Sequence, residues 1–158
     1  MRRLSLRAHS RAELEEALKS KEVAPEVGAE LLDRFTELDL VDDAAFAEQW
    51  VSSRHRTRQL SRRALAEELR RKGVDREVIS EATAAVTSED EFEAALALGS
   101  KKMRSMARVD DPLARRRRLA GALARRGYGP EIVHRVVGQL LAGDSDERAH
   151  EVGPDWLE

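Results

Sequence analysis

Residues Leu65-Ala-Glu-Glu-Leu-Arg-Arg-Lys-Gly-Val-Asp-Arg-Glu-Val78 decide how the whole chain is read. Two leucines four apart lie on one face of a helix. Gly73 suits the left-handed residue that ends such a helix, and Asp75 is the kind of side chain that caps the next one. The stretch therefore predicts two helices around a tight turn. Its frame, Leu-x3-Leu-x4-apolar-x2-Glu-apolar, occurs twice more. Leu14, Leu18, Val23, Glu26 and Val27 repeat it 51 residues earlier, and Leu119, Leu123, Tyr128, Glu131 and Ile132 repeat it 54 residues later. Phe46-x3-Trp50 and Phe92-x3-Leu96 supply a preceding helix in the second and third copies. A period of about 50 residues with up to three helices per unit is a tandem helical repeat, in which each unit buries its apolar seam against its neighbours.

Local signals extend the helical reading outward. Ser10-Arg-Ala-Glu13 is a capping box opening a helix to about Ser20, and Pro25 fits the first turn of the next. Asp42 and Asp43 are expected to cap a helix to about Arg58. Ser61 opens one that Gly73 closes, and Asp75 caps one to about Val86. Ser88-Glu-Asp-Glu91 reads as a second capping box, heading a helix to about Arg108. Asp111-Pro112 starts a helix ended by Gly127, and Gly129-Pro130 starts the last, which Gly143 stops. Strand signals are nearly absent. The expected fold is all-α, an elongated, curved array of tandem three-helix repeats. Its divisions are residues 1–41, 42–87 and 88–143, with a flexible acidic tail over 144–158.

Composition fits a thin aliphatic core. The 158 residues are 37% charged and include three Phe, two Trp and one Tyr, too few aromatics for one thick globule. With no Cys there is no disulfide framework, thiol nucleophile or thiolate zinc site, and a cytoplasmic location is expected. The amino terminus lacks an apolar signal core and no stretch approaches 18 apolar residues, so neither secretion nor a membrane span is expected. His9, His55, His134 and His150 are dispersed. No phosphate loop or nucleophile elbow occurs, and the carboxylate pairs Asp42-Asp43 and Asp110-Asp111 fall where helix starts favour anions. The sequence therefore reads as a non-enzyme with no cofactor and no metal.

The net charge of −2 conceals a banded layout. Residues 1–50 hold 7 basic and 12 acidic groups, 51–87 hold 9 and 5, 88–100 hold none and 4, 101–135 hold 11 and 3, and 136–158 hold 1 and 6. Blocks this long present separate fields, since screening at physiological salt acts over about 8 Å. On a helical wheel anchored by Leu119 and Leu123, Arg117, Arg118 and Arg125 face solvent, while Arg115, Arg116 and Arg126 flank the seam. Four arginines in the first two turns after Pro112 oppose the helix dipole, a broken local rule that points to use. In the second repeat Glu67 and Glu68 precede Arg71 and Lys72 by four residues, an arrangement that supports helical ion pairs. The third repeat has Gly121 and Ala122 in their place. An anionic partner, nucleic acid or an acidic protein face, is the expectation for the third-repeat arginines. Arg54, Arg56, Arg58, Arg62 and Arg63 form a second basic ridge, with Phe46 and Trp50 read as core.

Asp42-Asp43-x2-Phe46-Ala47-x2-Trp50-Val51-x2-Arg54, followed by Glu68-Leu69-x2-Lys72-Gly73-Val74, resembles the signature of the RecX family of bacterial regulators that bind RecA. Arg118-Leu119-x3-Leu123-x-Arg125-Arg126-Gly127-Tyr128 resembles that family's third repeat, and the resemblance spans about residues 10–142. It implies a non-catalytic modulator that docks in the groove of the RecA filament on single-stranded DNA, blocks extension or promotes disassembly, and lowers strand exchange, ATP hydrolysis and LexA cleavage. The family often has a glycine near Arg58, where this chain has Gln59-Leu60. The expected contact set is Arg54, Arg58, Arg62, Arg63, Arg70, Arg71, Lys72, Arg115, Arg116, Arg117, Arg118, Arg125 and Arg126. At most weak direct contact with DNA phosphates is expected, with no membrane contact. A monomer is expected because no unpaired heptad seam is evident. The alternative is a direct DNA binder whose helix-turn-helix is Ser61–Lys72 and Asp75–Val86, though the reading helix would be acidic. An inert helical adaptor would be indifferent to the arginines.

Overall fold

The computed structural model describes the backbone of residues 8–151 and the side chains of residues 8–143, and every regular element among them is an α-helix. In chain order these are α1 (Arg11–Lys19), α2 (Pro25–Glu37), α3 (Asp43–Arg58), α4 (Arg62–Arg71), α5 (Arg76–Ala84), α6 (Ser88–Arg104), α7 (Pro112–Ala124) and α8 (Pro130–Glu151). They gather into two compact units. One holds the described residues up to Thr57 together with Arg62–Val86. The other holds Arg58–Ser61 with the described residues from Thr87 onward.

In the first unit the recurring leucine pair forms the seam. Leu65 and Leu69 of α4 are fully buried, beside buried Leu32, Phe46, Ala47, Val51, Val74 and Ile79. The matching pair in α1, Leu14 and Leu18, is only half-buried. The first repeat is therefore the thinnest, and polar contacts tie it down. Ser10 closes the expected capping box with Glu13, and its hydroxyl donates to the Lys72 carbonyl at 2.7 Å. Asp42 caps α3 by accepting from Ala45 N at 2.9 Å. Asp43 departs from the expected role: its carboxylate accepts from Arg11 N at 2.7 Å, capping α1 rather than its own helix. A helix start leaves N–H donors without intrahelical partners, and here a residue 32 positions away fills one.

The second unit repeats the scheme. Leu119 and Leu123 of α7 are fully buried with Ala95, Val136, Val137, Met106 and Tyr128. Gly99 lets α8 approach α6, since a Cβ there would sit 2.6 Å from Leu140 Cδ1. Three local expectations shift. Thr87, not Ser88, caps α6, with Asp90 completing the box. The same helix ends at Arg104 rather than near Arg108. Gly143 does not stop α8, whose backbone stays helical to Glu151. A glycine within a helix costs about 1 kcal/mol relative to alanine but does not forbid it. Of the expected acidic tail, 144–151 is thus helical in its backbone, and 152–158 lies outside the described residues.

Gly73 meets two constraints at once. Its φ of +72° is left-handed, and a Cβ on it would lie 2.4 Å from Ala12 Cβ in α1. Strain of about 1–2 kcal/mol and overpacking of about 1–3 kcal/mol both follow from adding that carbon. Gly73→Ala is therefore expected to lower the urea midpoint of the first unit by an amount corresponding to about 2–4 kcal/mol. Trp50 fluorescence, in a background with Trp156 replaced by Phe, reads the transition, and an unchanged midpoint would refute the close approach.

Candidate functional site

The cations of the first unit separate into two kinds. One set is absorbed by the fold around Trp50. The Arg54 guanidinium lies 4.2 Å from the Trp50 ring centroid, and Lys72 Nζ lies 4.3 Å from the same ring and 6.0 Å from that of Phe46. Trp50 Nε1 donates to Glu68 Oε2 at 2.8 Å, and Arg54 Nε stands 3.9 Å from the same oxygen. Lys72 Nζ reaches Glu13 Oε1 of α1 at 2.6 Å, both side chains half-buried. Cations against aromatic faces gain about 0.5–2 kcal/mol each depending on desolvation, so Arg54 braces α3 against α4 and Lys72 carries the contact across to α1 of the first repeat.

The expected helical pairing of Glu67 and Glu68 with Arg71 and Lys72 is replaced. Glu67 meets Arg70, Glu68 serves Trp50 and Arg54, and Lys72 turns to Glu13. An acceptor across the repeat boundary outcompetes the local one because Lys72 also gains the aromatic faces. Arg63 and Arg71 are exposed and make no ion pair among the described residues. Arg62 is half-buried and partnered, and Arg56 is exposed and likewise partnered.

In the second unit the arginine run of α7 also divides. Arg115 is only 4% exposed and has a partner, so it belongs to the interior rather than to a surface band. The helical wheel sets it at the flank of the seam, but it shares the inward face itself with Leu119 and Leu123, which lie four and eight residues on. Glu91 is buried in the same unit at 6% exposed. Arg116, Arg117, Arg118 and Arg125 are exposed, and none meets a carboxylate among the described residues. A Cβ on Gly121 would sit 3.2 Å from Arg125 Nη1, so this guanidinium lies over the space that Glu67 fills in the second repeat.

Arg126 is half-buried, and its guanidinium donates to the Arg58 carbonyl. The segment Arg58–Ser61 is fixed by two further bonds, Ser61 N to the Arg126 carbonyl at 3.1 Å and the Tyr128 hydroxyl to the Gln59 carbonyl at 2.9 Å. Gln59 takes φ +45°, a left-handed conformation. That is the backbone a glycine favours, so the glycine that the sequence resemblance implies near this point would fit here without strain. The Arg58 side chain stays exposed. Sequence reasoning missed this lock because its acceptors are main-chain carbonyls 68 and 69 residues away, which no side-chain pattern announces. Among the described residues no group of three or more His, Asp or Glu could hold a metal ion, and no helix is long and apolar enough to cross a membrane.

Tyr128 is the titrating group of this lock. Burial, then the nearby Glu91 carboxylate, push its hydroxyl well above the usual 10.0, with Arg126 opposing. A folded-state pKa raised above the unfolded one means that the contribution is complete below pH 10 and declines as pH rises beyond it. Tyr128→Phe, which leaves the Gln59 carbonyl without this donor, is expected to cost about 1–2 kcal/mol at neutral pH. It should also flatten the loss of stability above pH 10 relative to the parent. Thermal unfolding across that range checks both signs.

Comparison with known proteins adds the lineage. Models of the RecX first, second and third three-helix domains match residues 1–35, 42–82 and 89–137 in order. The chain is 43% identical to the regulatory protein RecX of Streptomyces coelicolor over 150 residues, covering 95% of this chain and 79% of that protein. It is 45% identical to the regulatory protein RecX of Mycolicibacterium smegmatis over 152 residues, covering 94% and 80%. The crystal structure of RecX from Lactobacillus salivarius shares the fold with a TM-score of 0.78 at 22% identity, over 88% of this chain and 90% of that one. Successive matches to all three domain types, with relatives this similar along nearly the full chain, place it in the RecX family of regulatory proteins.

Proposed function

We propose that this chain is a negative regulator of RecA acting in the cytoplasm, which docks as a monomer in the groove of the RecA filament on single-stranded DNA. There it blocks extension or promotes disassembly, lowering strand exchange, ATP hydrolysis and LexA cleavage. The observation that carries the reading is the exposed set Arg116, Arg117, Arg118 and Arg125, which meets no carboxylate among the described residues. Three of these lie together in the second turn of α7, and no acidic residue stands in the turn before them. An exposed cluster of cations that meets no internal carboxylate suits an anionic partner, and a filament on single-stranded DNA supplies phosphates and acidic protein surface together. Exposed Arg58, Arg63 and Arg71 are candidates for further contact, and Arg62, Arg70 and Arg126 complete the proposed contact set. Arg54, Lys72 and Arg115 act as positioning residues. No catalytic step is invoked, in keeping with a regulatory family.

The helix-turn-helix alternative has less support. Its pair exists as α4 and α5, but the second helix exposes Glu77 and Glu81, which phosphates and base edges would repel.

Arg117→Glu/Arg118→Glu/Arg125→Glu is expected to weaken inhibition of RecA ATPase by about tenfold or more while circular dichroism stays helical. Unchanged inhibition would remove α7 from the contact. Fluorescence anisotropy at two salt concentrations should show tighter binding to RecA-coated single strand than to naked single strand or duplex. The preference for the coated strand should weaken with salt, and tight binding to bare duplex would instead favour the helix-turn-helix.

A further inference from the structure

The outer face of α2 is an acidic apolar surface that the filament reading leaves unused. Val27 is 57% exposed and Leu31 38%, one turn apart on that helix. With Glu30, Asp33, Arg34 and Glu37 they line a surface hollow of about 490 Å³. Asp33 is engaged by Arg11 at 2.6 Å and Glu37 by Arg34 at 3.1 Å, whereas Glu30 makes no ion pair among the described residues. The hollow thus offers apolar contact beside an unneutralised carboxylate. Isolated exposed aliphatics need no explanation, but two adjacent ones beside a carboxylate without an ion pair offer a small contact surface of defined charge.

The chain carries the chemical complement on α7. Leu113 is the most exposed large aliphatic residue described, at 63%. Arg116 and Arg117 stand three and four residues beyond it, so all three share one outward face. An apolar anchor flanked by unpaired guanidinium groups matches an apolar hollow flanked by an unpaired carboxylate in chemical character and in sign of charge. We propose that copies of this chain associate head to tail, the α2 face of one copy receiving the α7 face of the next through Leu113 against Val27 and Leu31 and through Arg117 against Glu30.

Such a contact is heterologous, so association continues beyond a pair unless the rotation happens to close a ring. One helix face on another buries less than the roughly 1,200 Å² of a stable specific interface, which sets the association at the weak, salt-sensitive end. A dilute sample is therefore monomeric, as the filament reading requires. The two readings meet at Arg116 and Arg117: self-association covers the cations that docking would use, so the concentrated free protein holds part of itself in reserve.

Sedimentation velocity of the full chain, from low micromolar to near-millimolar concentration at low and high salt, tests the proposal. The expected result is a rise in mean mass with concentration that high salt suppresses. Glu30→Lys alone and Arg117→Glu alone should each weaken association by about tenfold, because each juxtaposes like charges. Mixing the two single variants should restore it, since the lysine introduced into α2 of one copy then meets the glutamate introduced into α7 of the other. A single monomeric species at every concentration overturns the proposal, and so does association that neither variant weakens or that mixing fails to rescue. Glu30→Lys also separates this proposal from the filament reading. It should lose self-association yet still inhibit RecA, whereas failure of the arginine triple variant to affect inhibition strikes only the filament reading.

Discussion

Two leucines four residues apart, followed within a turn by a glycine that reverses the chain, are the constraint on which this structure depends. Leu65 with Leu69 and Leu119 with Leu123 are fully buried, and Gly73 and Gly127 both adopt positive φ. Burying a leucine side chain contributes about 1.5–3 kcal/mol, and in a chain with few aromatics these pairs are the largest regular source of that energy. In the second and third repeats the glycine sets the angle at which the next helix folds back on the pair, and in the first Glu22 takes the same left-handed turn at φ +60°. Where the pair is only half-buried, in α1, polar contacts from Ser10, Asp43 and Lys72 supplement it.

The same constraint shapes the charge distribution. A thin core leaves much of every helix at the surface, so a high charge content is unavoidable, and position decides what each charge does. Arg54 and Lys72 direct their charge at Trp50, Phe46 and two carboxylates, making a joint that is cationic in sequence and nearly neutral in effect. Arg126 is tied to a backbone carbonyl, and Arg115 is buried. The residues left with an outward field are fewer than the arginine count suggests. Arg116, Arg117, Arg118 and Arg125 of α7 and its carboxy-terminal cap are among them, where the third repeat lacks the glutamates that occupy the second.

The three-copy frame, the helix caps at Ser10, Asp75 and Asp111, the proline starts and the glycine turns were legible because each depends on residues within one or two turns of each other. The outward direction of Arg117, Arg118 and Arg125 followed from helical periodicity alone, and the family resemblance rested on the same local frame. Legibility failed at the edges of elements. Thr87 took the cap expected of Ser88, and Gly143 was carried through by α8, because neighbouring cap residues and single glycines differ by only about 1 kcal/mol in their preferences.

By itself the sequence determined that the chain is helical, repeated in three copies, and banded in charge, since short-range periodicity and capping chemistry encode all three. Tertiary structure alone decided which charged side chains are engaged by partners far along the chain. The partners of Lys72, Arg126 and Asp43 lie 59, 68 and 32 residues away. The pull of an aromatic ring, a main-chain carbonyl or an uncapped helix start depends on distance in space, which no spacing along the chain records.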